Sequence, residues 1–400
     1  MAFLFQPFTN PELVENFRRK GTEEIFQKLS LTENFLWKQE RKEIYSLVAL
    51  AEPISDIIVD VDESIMKKYG LKSRGTILIK EKDDEKETIF EELEKMPNVE
   101  YALGGSAQNT VRVLRWCLNF ESYKNEIFKV SMIGSIGDDL YKDKILASLK
   151  KLGVNPIFEI LKNDKTSRCA VCIYKKEKSF ATQIMASKRL SEEFVKEHIK
   201  EITAHQALLI EGYMVSNKFN ICKTLIESFV KDKKTIILSL GASFIVKLHH
   251  DKILDLANDS DIIIGNFEEA LEFSGNQSKE IDTIFRIIYE KLKPKEKRLL
   301  VITDGENGAY WGKYNYQEKR LEHMIQYFAY DLKEDEIKDL NGAGDAFLGG
   351  FLYKYMEGYS VHDCCKTGIE AATVILKNVG CTFDINKKLS ELLAQDDKEK

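Results

Sequence analysis

Two patterns of apolar residues alternate along the chain from residue 46 onward. Short runs that are apolar at nearly every position predict buried strands, and longer segments with apolar residues three and four positions apart predict helices. The predicted strands are Ser46–Ala51, Phe128–Ile133, Ala207–Glu211, Thr235–Leu240, Asp261–Ile264 and Arg298–Thr303. The predicted helices include Leu140–Leu152, Asn217–Lys231, Phe244–Ala257, Glu268–Phe273 and Ile281–Lys291. Such alternation favours an α/β fold with a mostly parallel sheet covered by helices on both faces.

A second set of segments alternates between apolar and polar residues, which predicts strands with only one buried face. These segments are Asp56–Asp62, Thr76–Lys80, Glu100–Leu103, Arg168–Tyr174 and Ser179–Met185. We expect them to leave the main sheet and to form a small β lid from about 56–80, 98–103 and 168–186. The charge-dense segment Lys80–Lys95 is expected to be exposed.

The two ends of the chain differ from the region between them. Residues 1–45 carry apolar and aromatic residues at helical spacing and predict an N-terminal helical extension. This extension either packs as a helix pair on its own core or docks onto a protein partner. Residues 46–392 are expected to form one domain, and residues 393–400 a frayed tail.

Composition and charge limit the kinds of molecule that the chain is expected to bind. The chain has 400 residues, of which 44% are hydrophobic and 31% charged, with a net charge of −6, as in ordinary soluble globular proteins. Scattered Lys and Arg residues argue against nucleic-acid binding, and no apolar run approaches the roughly 20 residues that span a membrane. The seven cysteines lack the spacing of a disulfide framework and suit a reducing, cytoplasmic compartment. The first twenty residues are not expected to act as a secretory signal or transit peptide.

The most informative motif is DLNGAGDAF at residues 339–347, which is followed by an apolar run typical of a buried helix. Glycines on both sides of Ala343 permit a tight turn that points backbone N–H groups toward an anion at the helix N-terminus. A side chain at Gly344 is expected to force a disallowed turn. Asp345 supplies a base beside this site, and the combination indicates phosphoryl transfer to an alcohol. A simple glycine cap or loop is the alternative.

Two other segments place polar groups at the start of a predicted helix. Gly104 and Gly105 would let a ligand hydroxyl approach the backbone, and Asn109 offers both a donor and an acceptor; a plain strand-to-helix turn is the alternative. Asn266 and Glu269 follow a predicted strand, where their oxygens suit a hydrated Mg²⁺ or, alternatively, a helix capping box. In parallel sheets, ligands bind beyond the carboxyl ends of the strands.

Several motifs in this order resemble the ribokinase-like (PfkB) family of sugar and nucleoside kinases. They are GGSAQN, MIGSIGDDLYKDKI, TSRCAVCIY, IIIGNFEEA, VITDGENGA and DLNGAGDAFLGGF. The ending NVGCTF at residues 378–383 is similar to the adenosine kinases within that family. The resemblance runs from about residue 46 to residue 383. It implies a ribokinase-like fold and phosphorylation of adenosine at the 5′-hydroxyl, with ATP and Mg²⁺, to give AMP and ADP in purine salvage.

The resemblance also implies roles for single residues. Asp345 would be the general base, and the amides of Gly342, Ala343 and Gly344 would stabilise the transferred phosphoryl group. The nucleoside would be held by Asp56, Gly104, Gly105, Ser106, Asn109, Phe180, Ile184, Tyr213 and Phe244. The ATP side would be formed by Asn266, Glu269, Thr303, Gly305, Asn341 and Lys178. Of these, Asn266 and Glu269 would bind Mg²⁺ through water.

Some positions depart from the family pattern. Glu52 stands where the family has an amide, Thr76 where a base-contacting glutamine is common, and Leu340 where a threonine is usual. Glu52 is expected to lie beside Asp56. When two carboxylates are neighbours, either the pKa of at least one of them is raised or one of them binds a cation. The alternatives are therefore another sugar or nucleoside kinase of the family, or a catalytically weakened kinase fold that acts as a structural subunit.

Overall fold

The computed structural model describes residues 43–73, 75–120, 127–175, 177–295 and 297–394. The predicted helical extension at residues 1–45 therefore lies almost entirely outside the described residues. Most of the predicted tail, residues 395–400, also lies outside them. No helix in the described part of the chain combines the length and apolar character needed to cross a membrane.

The described residues form strands and helices that alternate through most of the chain. The strands are β1 Ser46–Leu50, β2 Ile54–Asp60, β3 Thr76–Leu78, β4 Glu100–Gly104, β5 Lys129–Gly137, β6 Val154–Leu161, β7 Ser167–Tyr174, β8 Glu177–Gln183, β9 Ala207–Glu211, β10 Thr235–Ser239, β11 Ile262–Asn266, β12 Leu299–Thr303, β13 Ala309–Asn315 and β14 Arg320–Tyr327. The helices are α1 Glu63–Lys68, α2 Asp84–Glu94, α3 Ser106–Asn119, α4 Leu140–Leu152, α5 Glu192–Glu197, α6 Ile199–Thr203, α7 Phe219–Lys231, α8 Ser243–Leu248, α9 His250–Asp259, α10 Phe267–Ser274, α11 Ile281–Lys291, α12 Ala343–Met356, α13 Val361–Leu376 and α14 Leu389–Ala394.

The larger sheet confirms the predicted α/β fold with a mostly parallel sheet. Its strand order is β14-β13-β12-β11-β10-β9-β1-β5-β6. All neighbours from β12 to β6 are parallel, and β13 and β14 extend the sheet as an antiparallel hairpin. The six predicted strands of this sheet are present, whereas β6 and the β13–β14 hairpin are additional strands.

The larger sheet is buried on both faces, which explains the continuous apolar runs. In β1, Leu47 and Ala49 face one core, which is completed by residues of α3, α12 and α13. Val48 and Leu50 face the opposite core, which contains residues of α7 to α11. The single helix predicted over Phe244–Ala257 is wrong in one respect, because His249 has a non-helical backbone and separates α8 from α9.

A smaller mixed sheet has the strand order β3-β8-β7-β2-β4. Its outer face packs on α1 and α2, and the sheet with these two helices is called the lid below. The expectation that Lys80–Lys95 is exposed is confirmed for most of its residues, but it misses that α2 buries Ile89, Phe90 and Leu93 in the lid core. Three apolar residues on one face are enough to hold an otherwise charged helix against the sheet.

Candidate active site

The glycine motif forms a sharp turn that starts α12, here called the anion loop and defined as residues 339–344. Gly342 has φ +80°, and a Cβ atom added there would lie 2.8 Å from Cβ of Cys381. A side chain at Gly342 would therefore be strained. The expected disallowed turn at Gly344 is wrong, because φ there is not positive and an added Cβ would meet no atom within 4 Å. The open space above Gly344 suits an anion at the N-terminus of a 14-residue helix.

The carboxylate of Asp345 lies in the first turn of α12 and meets the first turn of α3. Ser106 Oγ donates to Asp345 Oδ1 at 2.5 Å, and Asn109 Nδ2 donates to Oδ2 at 3.0 Å. Burial raises the pKa of Asp345, and these two hydrogen bonds oppose the rise. A carboxylate that is oriented by two donors and made more basic by burial can accept a proton.

The carboxyl group of Asp56 lies against the turn at Gly104 and Gly105, which leads into α3. A Cβ atom added at Gly104 would lie 2.2 Å from Asp56 Oδ1, so only glycine leaves room for this carboxyl group. Gly105 has φ +89° and caps α3. Burial raises the pKa of Asp56 to about 7, and the nearby Arg112 guanidinium lowers it.

The buried side chain of Arg112 links the end of β4 to Asn109 in the first turn of α3. Its Nη1 atom donates to the Leu103 carbonyl oxygen at 3.1 Å and to Asn109 Oδ1 at 3.2 Å. Asn109 therefore accepts from Arg112 while it donates to Asp345. The amide of Asn109 is fixed in orientation at both ends.

Glu52 is paired with a cation, which was one of the two expected outcomes. Its Oε1 atom accepts from Nζ of Lys218, whose side chain is completely buried while that of Glu52 is 16% exposed. Lys218 also donates to Asn217 Oδ1 at 3.0 Å. The two residues follow the neighbouring parallel strands β1 and β9, so the fold rather than the local sequence brings them together.

The predicted aromatic residues of the nucleoside pocket lie in two places. Tyr213 follows β9, and its ring packs edge-on against that of Phe244, with 6.4 Å between centroids. Phe244 remains 57% exposed. Phe180 belongs to β8 of the lid, where it packs on an apolar cluster that includes Val379. Ile184 directly follows β8.

The residues predicted for the ATP side lie at the ends of two adjacent strands. Asn266 ends β11 and is directly opposite Thr303, which ends β12. Gly305 follows in a short 3-10 helix, and a Cβ atom added there would meet no atom within 4 Å. Asn266 and Glu269 form the capping box that was the alternative to a metal site.

The capping box remains compatible with Mg²⁺ bound through water. Glu269 Oε1 and Oε2 accept from Nδ2 and N of Asn266 at 2.8 and 3.0 Å, which leaves further lone pairs on both oxygens. Burial raises the pKa of Glu269 to about 7, and Asp345 adds to the rise. A divalent cation would favour the ionised form of this carboxyl group, and hard oxygen donors are those that Mg²⁺ prefers.

Lys178 lies at the anion loop, but its ammonium group is occupied. Its Nζ atom is 2.5 Å from Oδ2 of Asp339, and the two side chains are only 11% and 5% exposed. Asp339 Oδ1 accepts from N and Nδ2 of Asn341 at 3.0 and 2.8 Å. Leu340, which departs from the family pattern, is 73% exposed.

Sequence reasoning missed two acidic residues of this region. Asp339 was not identified as a functional residue, although it precedes the glycine turn. Glu211 ends β9, is 2% exposed, and has one oxygen without a hydrogen-bond partner among the described residues. Burial raises the pKa of Glu211, and nearby Asp345 adds to the rise. A charged residue at the end of the apolar run ALLIE was the available signal, because such ends line ligand sites.

The chain is similar to known proteins over most of its length. Residues 68–388 match the pfkB family carbohydrate kinases. The chain is 29% identical over 358 residues to an adenosine kinase of Schizophyllum commune, covering 85% of this chain and 97% of the relative. It is 27% identical over 344 residues to adenosine kinase 2 of Arabidopsis thaliana, covering 84% and 95% of the two chains.

Two solved structures show how far the similarity of fold extends. The apo adenosine kinase of Trypanosoma brucei brucei superposes with a TM-score of 0.76 at 25% identity, covering 84% of this chain and all of that one. The adenosine kinase of Schistosoma mansoni in complex with 2-fluoroadenosine has a TM-score of 0.71 at 24% identity, covering 86% and 98%. The larger sheet and the lid therefore belong to a known architecture.

Proposed function

The chain belongs to the pfkB family of carbohydrate kinases, and we propose that it transfers the γ-phosphoryl group of ATP to the 5′-hydroxyl of adenosine. The observation that carries this proposal is the position of Asp345. Its carboxylate is held by Ser106 and Asn109 and lies one residue beyond Gly344, above which the space is open. A base and an anion site are thus adjacent, as transfer to a hydroxyl requires.

In the proposed reaction, Asp345 accepts the proton of the acceptor hydroxyl. The oxygen forms a bond to the γ-phosphorus while the bond to the β–γ bridging oxygen breaks, and ADP leaves. The N–H groups of Gly342, Ala343 and Gly344, at the N-terminus of α12, stabilise the negative charge of the phosphoryl group during transfer. The raised pKa of Asp345 makes the ionised carboxylate a stronger base.

Adenosine is proposed as the acceptor because the pocket combines carboxylate and aromatic groups. Asp56, Gly105 and Asn109 would bind the ribose hydroxyls, for which a carboxylate is a strong acceptor. Tyr213 and Phe244 would contact the purine, whose flat faces suit aromatic side chains. The curated relatives named adenosine kinases support the same choice.

On the nucleotide side, Thr303 and Gly305 would line the ATP cleft, and Asn266 and Glu269 would hold Mg²⁺ through water. Mg²⁺ in this position would neutralise phosphate charge during the transfer. The lid would close over the acceptor, since water admitted to the site would compete with the acceptor for the phosphoryl group. Phe180 and Ile184 would then complete the nucleoside pocket from the lid side.

The test is a comparison of acceptors with the purified full chain. The rate of ADP formation with Mg²⁺ and ATP is measured for adenosine, other nucleosides, ribose and fructose. We expect adenosine to give the highest kcat/KM. A higher value for a sugar or for another nucleoside would refute the substrate assignment, and no turnover with any acceptor would refute the proposed activity.

A further inference from the structure

We propose that Lys178 is a positioning residue, which holds Asp339 and thereby makes the order of the anion loop depend on the position of the lid. This inference rests on the proposed function, because it concerns the same phosphoryl-transfer site. It gives Lys178 a different role from membership of the ATP side, which the family resemblance implies.

The first observation is that Asp339 organises both sides of the anion loop. Its Oδ1 atom accepts from the backbone and side-chain nitrogens of Asn341, the residue before Gly342. Its Oδ2 atom accepts from the backbone nitrogen of Gly380 at 2.7 Å. Gly380 precedes Cys381, against which Gly342 packs. One carboxylate therefore ties the loop to the segment that supports it.

The second observation is that the charge of Asp339 is balanced from the lid. Lys178 belongs to β8 of the lid, and its ammonium group contacts Oδ2, the oxygen that also accepts from Gly380. Both side chains are almost completely buried. A buried carboxylate that loses its cation is strongly disfavoured. Movement of the lid away from the larger sheet would remove that cation.

The consequence concerns the timing of phosphate binding. With the lid in the present position, Asp339 is neutralised and Asn341 is held in place. With the lid displaced, an unpaired negative charge would stand in the anion loop and repel the phosphates. The loop would then be ready for transfer only when the lid covers the acceptor, which limits ATP hydrolysis in the absence of an acceptor.

The first test is a double-mutant cycle in the full chain with Lys178→Met, Asp339→Asn and both together. Steady-state kcat and the KM values for ATP and adenosine are measured. If Lys178 acts through Asp339, Lys178→Met lowers kcat about tenfold or more, within the range of coupling between contacting residues, and raises the KM for ATP, because the unpaired charge of Asp339 repels the phosphates. The same substitution has no further effect in the Asp339→Asn background.

Two control variants test whether the effect of Lys178→Met comes from loss of its ion pair with Asp339. Lys67→Met removes another lid cation, whose side chain is 75% exposed, and is expected to leave kcat unchanged. Lys178→Arg keeps the ion pair and is expected to retain most of the activity. A raised KM for ATP that persists in the Asp339→Asn background would identify Lys178 as a phosphate ligand and overturn the proposal. An Arg variant as slow as the Met variant would also overturn it.

A second test does not depend on turnover. Amide hydrogen exchange is measured across residues 337–347 in the native chain, Lys178→Met and Lys67→Met. We expect faster exchange in Lys178→Met alone, because the loop loses the charge balance that orders it. Unchanged exchange there would overturn the proposal even if no acceptor is phosphorylated, whereas failure of the acceptor comparison alone would refute the proposed function.

Discussion

Replacement of Glu52 by asparagine tests whether the departure at this position is compensated by Lys218. Glu52→Asn gives the chain the amide that the family pattern contains at this position. In isolation, that change would be expected to be harmless or to improve the acceptor pocket. The structure predicts the opposite for stability, because the substitution leaves the ammonium group of Lys218 without its carboxylate.

The size of the effect follows from burial. The Lys218 side chain has no exposure, and its other partner is the neutral Oδ1 atom of Asn217 at 3.0 Å. Removal of one member of a buried ion pair costs about 3–5 kcal/mol. The partial exposure of Glu52 and the remaining bond to Asn217 favour the lower end, about 3 kcal/mol. Such a loss is a large part of the typical stability of a folded protein.

The assay is urea unfolding of Glu52→Asn and of the double variant Glu52→Asn/Lys218→Met. The double variant removes both charges and is expected to recover most of the lost stability. Glu63→Asn serves as the matched control, since its ion pair with Lys67 is exposed and exposed pairs contribute little. If Glu52→Asn is as stable as the native chain, the idea that Lys218 compensates for the charge of Glu52 is refuted.

Three further predictions concern the glycines and Asp56. Gly344→Val is expected to leave the thermal midpoint unchanged, because its Cβ meets no atom within 4 Å, and to raise the KM for ATP. An unchanged KM would show that the phosphate does not bind in this space. Gly342→Ala is expected to lower stability by about 1–3 kcal/mol on chemical unfolding, because φ is +80° and Cys381 is close; unchanged stability would contradict this. The pKa of Asp56 is about 7, and a proton on its carboxylate would compete with the ribose hydroxyls for the same oxygens. Calorimetry without ATP should therefore show that the affinity for adenosine increases from pH 5 to pH 7 and levels off above that. Asp56→Asn should abolish that dependence, and a dependence retained in the variant would assign it to another group.

The parts of the fold that could be predicted are those with local signals. Strands such as Ala207–Glu211 are buried on both faces and are therefore apolar up to their last residue. The anion loop carries its own glycine pattern, and the capping box is a four-residue motif. The helix α2 was missed because its apolar residues are few. The strands β13 and β14 were missed because polar residues interrupt their apolar pattern.

The parts of the site that could not be predicted depend on contacts between distant residues. The partners Glu52 and Lys218 are 166 residues apart, and Lys178 and Asp339 are 161 apart. No spacing rule connects such pairs, since the fold alone brings them together. The sequence therefore indicates candidate site residues, whereas the ion pairs beside them carry no local signal.

The most direct test of the proposed function is the formation of AMP from adenosine and Mg²⁺–ATP by the purified chain, measured beside Asp345→Asn. We expect the native chain to form 5′-AMP and the variant, which keeps a similar shape but loses the base, to be about 10²- to 10⁴-fold slower. A native chain that forms no AMP, or an Asp345→Asn variant within about tenfold of it, would contradict the assignment of this site.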